Sequence, residues 1–163
     1  MKKDVFVHPY LERLKLHDNL LPDISTLRRI HKQHLLNIPF ENLDIIADKR
    51  IEFDVKKMWM KIVEQKRGGI CYELNGLLFH LPVEYSFTLQ ERSLDDFKER
   101  CLYFETSPDS RFRKNRLCSL ERENGRISLK DDKLILTVDG IRTEKSIETE
   151  QEFLSNLLSI LIR

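Results

Sequence analysis

The sequence is short of the residues that staple or interrupt a chain: of 163 residues, three are cysteine, five glycine and five proline. An odd cysteine count in a chain this long is no disulfide framework, and Cys71, Cys101 and Cys118 are not spaced as metal-ligand pairs. Each is either a small buried hydrophobe, the commoner fate, or a reactive thiol. An excess of one charge is also lacking. Lys and Arg number 28 against 27 Asp and Glu, a net charge of +1. That balance excludes the basic stripe of a dedicated nucleic-acid or membrane-surface binder. No apolar run approaches the roughly 18 residues of a spanning helix. Met1-Lys2-Lys3-Asp4 leads into no signal-peptide core, so the expected compartment is the cytoplasm. Repeats and low-complexity stretches are absent. What is present is 40% hydrophobic and 34% charged residues, a composition that buries a core beneath a heavily solvated surface, in one domain or two small ones.

The first half has helical periodicity. Val5 to Leu16 suggests a short helix beginning near Pro9. Pro22 to Ser25 supplies helix-starting residues, and Ile24, Leu27, Ile30, His34 and Leu35 keep a 3.6-residue period until Ile38-Pro39 ends it. Phe53 to Gln65 carries Val55, Met58, Trp59 and Ile62 on one side. Gly68-Gly69 breaks the pattern, and a further helix runs from Cys71 through Leu74, Leu77, Leu78 and Leu81 to Pro82.

The second half is strand-like. Asn124-Gly125 and Asp139-Gly140 are hairpin dipeptides. Ser119–Glu123, Arg126–Lys130, Lys133–Val138 and Ile141–Ser146 therefore predict a β-meander. Thr149-Glu150-Gln151-Glu152 is a capping-box pattern ahead of Phe153, Leu154, Leu157, Leu158 and Leu161, which predicts a closing amphipathic helix packed on the meander. Helices followed by an antiparallel sheet make the expected class α+β. The expected division is a helical bundle over 1–81 and a meander with its terminal helix over 82–163, with the seam near Leu81-Pro82.

The chemically informative segment is Arg67-Gly68-Gly69-Ile70-Cys71-Tyr72-Glu73-Leu74-Asn75. Two glycines permit a tight turn, and the cysteine falls in the first turn of the next helix. Free N–H groups and the helix dipole favour a thiolate there, with Arg67 adding to the positive field. A papain-like thiol enzyme presents its nucleophile in this way. A buried cysteine after a Gly-Gly turn explains the same residues equally well.

This segment, with Ile38-Pro39-Phe40-Glu41-Asn42-Leu43-Asp44, Tyr85-Ser86-Phe87, Asp96-Phe97 and Thr106-Ser107-Pro108-Asp109-Ser110-Arg111-Phe112, resembles the arylamine N-acetyltransferase family. The motifs occur in the family's order and span most of the chain. The resemblance implies a helical first domain, a β-barrel second domain and an α/β lid. It implies ping-pong acetyl transfer from acetyl-CoA to small aromatic amines, hydrazines or hydroxylamines, with no metal. Cys71 matches the acetylated nucleophile. Arg67, Gly68 and Gly69 match its supports, and Glu41 matches a structural carboxylate that braces the first domain. The Tyr103 to Phe112 stretch, with Tyr103, Ser110 and Arg111, resembles a cofactor-contacting segment, although Asp109 and Arg111 stand where small hydroxyl residues are common. Arg111, Arg113, Lys114 and Arg116 form a basic cluster that suits either coenzyme phosphates or a solvated face.

The departure from the family is equally specific. There the cysteine is activated by a histidine that an aspartate orients, both in the middle barrel. This chain passes from Leu77-Leu78-Phe79-His80-Leu81 directly to Pro82-Val83-Glu84-Tyr85-Ser86-Phe87. It looks like a family member without most of its barrel. All five histidines, His8, His17, His31, His34 and His80, precede the seam. On a continuous helix His80 stands about 13.5 Å along and roughly 180° round from Cys71. His31 and His34, one turn apart, suit core or surface positions better than a metal site lacking a third ligand.

Three readings follow. The first is a family member with Cys71 as acetyl acceptor and impaired turnover for want of the histidine and aspartate. The second is a non-enzymatic remnant or interaction module that forms a homo-oligomer through exposed core surface. The third, a different papain-like thiol hydrolase, lacks the same histidine and explains none of the other motifs.

Overall fold

The computed structural model describes residues 4–18, 20, 21, 23–80 and 94–162. The seam at Leu81-Pro82 and the Tyr85-Ser86-Phe87 match lie outside them. The fold is α+β, eight α-helices and one five-stranded antiparallel sheet among the described residues.

Helix α1, Asp4–Arg13, starts five residues before the expected Pro9 and contains it. Tertiary contacts hold the turn ahead of the proline: Trp59 Nε1 donates to the Phe6 carbonyl at 2.9 Å, and the two rings meet edge to face. Helix α2, Ile24–Asn37, is capped by Asp23, whose side chain accepts from the Thr26 N–H at 2.7 Å, and it ends before Pro39. Strand β1, Phe40–Glu41, and the single turn α3, Leu43–Ile46, follow. Asp54 caps α4, Val55–Trp59, which continues as a π-helical turn over Met60–Glu64. The extra residue in that turn places Ile62 and Val63 in the core beside Met58 and Trp59. Helix α5 is Cys71–His80.

After a 3-10 turn at Leu94–Phe97 come α6, Lys98–Thr106, and α7, Arg111–Lys114, neither marked by apolar periodicity. The meander is β2, Leu117–Arg122, β3, Gly125–Lys130, β4, Lys133–Val138, and β5, Ile141–Ser146. One turn differs from expectation. Arg122 pairs with Gly125, so the two-residue loop is Glu123-Asn124 and Gly125 begins β3. A Cβ on Gly125 would lie 1.9 Å from the Thr137 carbonyl oxygen. Asp139-Gly140 is the expected turn, with both residues at positive φ. Helix α8, Glu150–Leu161, has the predicted cap: Thr149 Oγ1 accepts from the Glu152 N–H, and the Glu152 carboxylate reaches back to the Glu148 N–H.

Strand order is β1-β2-β3-β4-β5. The pairing of β1 with β2 is the feature the sequence pattern hides, since two residues carry no period. It joins the helical half to the meander at Phe40↔Ser119 and Glu41↔Cys118. One face of the sheet, with Cys118, Leu120, Ile127 and Leu129, is covered by Phe153, Leu157 and Ile160 of α8. The helical core gathers Tyr10, Leu14, Ile30, Met58, Ile62 and Leu77. A third cluster, Ile45, Ile51, Ile70, Cys101 and Phe112, draws on both halves and lies beneath the start of α5.

Candidate functional site

Cys71 is the first residue of α5 and is half-buried, whereas Cys101 and Cys118 are buried. Burial pushes the Cys71 thiol above its ordinary value. The Tyr72 and Cys71 N–H groups and the charge of Arg111 pull the other way, and Glu73 adds to the rise. This corrects the sequence expectation of a thiolate-favouring helix start, because desolvation outweighs the amides. Burial pushes Cys101 and Cys118 further, to about 12.

The approach to Cys71 is held by a buried ionic cluster. Glu41 is 0% exposed. Its Oε1 accepts from Arg67 Nε at 3.0 Å and Nη2 at 2.6 Å, and its Oε2 from the Leu43 N–H at 2.8 Å. Arg67 Nη2 also reaches Asp44 at 3.1 Å. Lys61 Nζ joins Asp44 at 2.7 Å to Glu73 at 2.9 Å. Glu73 in turn accepts from the Ile70 N–H at 3.0 Å, satisfying one of the free donors at the start of α5. Burial lifts the Glu73 carboxyl against the pull of Lys61. Arg67 is thus a brace with its charge spent on carboxylates, and the cation acting on Cys71 is Arg111.

The glycines serve this cluster by their size. Neither Gly68 nor Gly69 has positive φ. The Glu41 N–H donates to the Gly69 carbonyl at 3.0 Å, so Arg67–Gly69 runs against Pro39–Glu41. A Cβ on Gly68 would sit 2.1 Å from the Pro39 carbonyl oxygen, and one on Gly69 would sit 2.8 Å from Glu73 Oε2. Asn42 was not singled out by the sequence, and it closes the arrangement from the other side. Its amide donates to the Phe112 and Asn115 carbonyls at 2.8 Å, and its oxygen accepts from the Leu117 N–H at 2.8 Å.

Cys71 opens on a cleft of about 660 Å³ between α2, α5, the α7 region and the face of β2–β3 opposite α8. Ser119 and Ser128 hydrogen-bond each other on that face at 2.8 Å. His31 and His34 both line the cleft, a neighbourhood no sequence spacing reveals. His31 is exposed. His34 is buried, with Nδ1 2.8 Å from the Tyr10 hydroxyl. Burial, with the charges of His31 and Arg13, pushes His34 down to about 4. It is therefore neutral at neutral pH and a weak base toward a thiol raised above its ordinary range. His8 and His17 are exposed, and His8 pairs with Glu12. No cluster of three or more metal-capable side chains occurs among the described residues.

The cofactor-contact candidates separate. Arg111 lines the cleft. Ser110 is buried and spent on structure: its hydroxyl donates to the Phe104 carbonyl at 2.7 Å and accepts from the Phe112 N–H, capping α7. Tyr103 is exposed beside Arg100 and does not line the cleft. The basic cluster disperses, with Arg113 on Asp48 and Arg116 on Asp131 and Glu150.

Known proteins resemble this chain in sequence and in fold. The N-acetyltransferase family profile matches residues 23–84 and 79–161. The arylamine N-acetyltransferase / N-hydroxyarylamine O-acetyltransferase of Salmonella typhimurium is 40% identical over 72 residues, 44% of this chain and 26% of that protein. The arylamine N-acetyltransferase of Mycolicibacterium smegmatis is 38% identical over 85 residues, 52% of this chain and 31% of that one. The chain thus spans less than a third of either relative's length. Among solved structures, arylamine N-acetyltransferase C from Bacillus anthracis superposes with a TM-score of 0.84 at 17% identity, over 94% of this chain and 96% of that one. The enzyme from M. tuberculosis gives 0.86 at 16%, over 95% and 93%. At such identities the superpositions establish the fold. No helix among the described residues is long and apolar enough to cross a membrane.

Proposed function

Because the chain belongs to the arylamine N-acetyltransferase family, we propose that Cys71 is the acceptor of an acetyl group from acetyl-CoA, and that a small aromatic amine or hydrazine takes it in turn. The observation that carries this reading is the half-exposed thiol at the first position of α5, opening on the cleft from a segment braced by Arg67, Glu41 and Glu73. The thiol attacks the thioester carbonyl, the acetyl–sulfur bond to coenzyme A breaks, and coenzyme A leaves as its thiol with the proton. The amine then attacks acetyl-Cys71, loses a proton and restores the thiol.

Both steps need a base. Among the described residues the histidines lining the cleft are His31, which is exposed, and His34, which burial keeps neutral. The reading is therefore one of slow self-acetylation and impaired turnover. We also propose that the chain joins the family's first and last domains, 1–81 and 82–163, without most of the barrel. In support, the family matches the chain in two stretches that meet at 79–84, at the seam.

A steady-state assay with acetyl-CoA and an arylhydrazine, run beside Cys71→Ala, tests the reading. Expected are a slow acetyl adduct on Cys71 by peptide mass mapping and product formation near the Cys71→Ala background. An absent adduct refutes Cys71 as acceptor, and robust turnover that Cys71→Ala abolishes refutes the impairment.

A further inference from the structure

The two ends of the sheet differ. At one end β1 is backed by the chain itself: Phe40 bridges Gly69, and the Glu41 N–H donates to the Gly69 carbonyl. At the other end β5 pairs with β4 alone among the described residues, and all six of its residues are exposed. The groups it offers follow from the ladder. In an antiparallel pair, facing residues alternate between those that exchange both N–H···O bonds and those that exchange none. The two-residue turn Asp139-Gly140 makes Val138↔Ile141 a bonded pair. The Ile147 N–H, donating to the Asp132 carbonyl at 2.7 Å, keeps the same phase at the far end of the strand. Ile141, Thr143 and Lys145 are therefore bonded to β4. Arg142, Glu144 and Ser146 turn their N–H and C=O groups outward.

An open edge is a template for another strand, and charges on it ordinarily repel one. Here the charges have a symmetry. A second copy of β5, antiparallel about a two-fold axis, brings outward groups onto outward groups only when the axis passes through a residue. Centred on Arg142, Glu144 or Lys145, the pairing sets two identical charges face to face. Centred on Thr143, it sets Arg142 against the partner's Glu144, and Glu144 against the partner's Arg142, both as bonded pairs. Thr143 then meets the partner's Thr143. Ile141, 71% exposed, meets the partner's Lys145, whose methylene stem covers it. Thr143 is thus the one interior centre that opposes no like charges. Arg142 and Glu144 already pair along the strand, and Lys133 reaches Glu144 at 3.4 Å from β4, so pairs between copies extend an existing row of alternating charge.

We propose that β5 is a self-association edge: two copies of this chain pair antiparallel about Thr143, with Arg142 and Glu144 of each bonded to Glu144 and Arg142 of the other. The result is an isologous dimer with one continuous sheet, both α8 helices on one face and both Cys71 clefts on the opposite side. The association needs no acetyl chemistry, so it stands or falls apart from the reading of Cys71.

Sedimentation velocity of the full chain at low ionic strength, from about 1 μM to about 1 mM, tests the pairing. The mass is expected to rise from that of one copy toward twice that value. Amide exchange at Arg142 and Glu144 is expected to slow as it does, while Thr143, already bonded to β4, changes little. Arg142→Glu and Glu144→Arg each set like charges against each other and are expected to weaken the dimer at least about tenfold. Both positions are exposed, so the variants keep the fold, which an unchanged urea midpoint verifies. Mixed in equal amounts, the two variants oppose unlike charges at every pair and are expected to restore the doubled mass as a heterodimer. A chain that keeps the mass of one copy at every concentration, single variants that dimerise like the wild type, or a mixture that fails to dimerise overturns the pairing. So does a dimer that both charge variants keep and Leu158→Glu abolishes, which assigns association to the exposed Leu154 and Leu158 of α8.

Discussion

The state of His34 has a measurable consequence for stability. In the unfolded chain its imidazole takes a proton near the model-peptide value of 6.5, and in the folded chain only near about 4. Between those values the unfolded chain binds more protons, so stability rises with pH across the window. The contribution is complete above about pH 6.5 and is lost as pH falls toward about 4. Each pH unit is worth about 1.4 kcal/mol, so the full window amounts to about 3 kcal/mol, and most of it is gone by roughly pH 4.5. The side chain is almost fully buried, so solvent screens little of this. Urea unfolding of the wild type and His34→Gln at about pH 7.5 and about pH 4.5 measures it as a difference of differences. Acid-sensitive carboxylates such as Asp44 act in both proteins and cancel. The wild type is expected to lose roughly 2–3 kcal/mol more than the variant between the two conditions. Equal losses, or an imidazole that titrates by NMR near its ordinary value, would refute the reasoning, and would restore His34 as a neutral-pH base among the described residues lining the Cys71 cleft.

Two further outcomes are expected. At neutral pH iodoacetamide should label Cys71 before Cys101 and Cys118, since it is the one half-exposed thiol and burial raises the other two to about 12; mass mapping in the folded protein that ranks either of the others first contradicts this. Arg67→Met leaves the Glu41 carboxylate buried with the Leu43 N–H as its remaining donor. Breaking a buried pair costs about 3–5 kcal/mol, and Arg67 is 25% exposed, which places the loss near the lower end. Urea midpoints that show less than about 1 kcal/mol, or a Glu41→Leu/Arg67→Met double variant no more stable than Arg67→Met alone, would contradict the brace.

Local patterns determined much of this protein by themselves. Asp23, Asp54 and Thr149 cap helices where short polar side chains precede apolar periods, Pro39 ends α2, and the meander strands alternate between two faces over hairpin turns. Cys71 at a helix start after two glycines was legible for the same reason, since each signal acts within a few residues. Only the tertiary structure decided the rest. The pairing of β1 with β2, the buried cluster of Glu41, Arg67, Asp44, Lys61 and Glu73, and the zip by Asn42 join residues up to 79 positions apart. The thiol's acidity could not be read from its position, because the amides of the helix start favour the thiolate while the packing around them removes water and disfavours it. Likewise, the sequence shows His34 one turn from His31, but it is burial against Tyr10 that keeps it neutral on the same cleft as Cys71. Desolvation and long-range contact are properties of what surrounds a residue, and those surroundings exist only once the chain has folded.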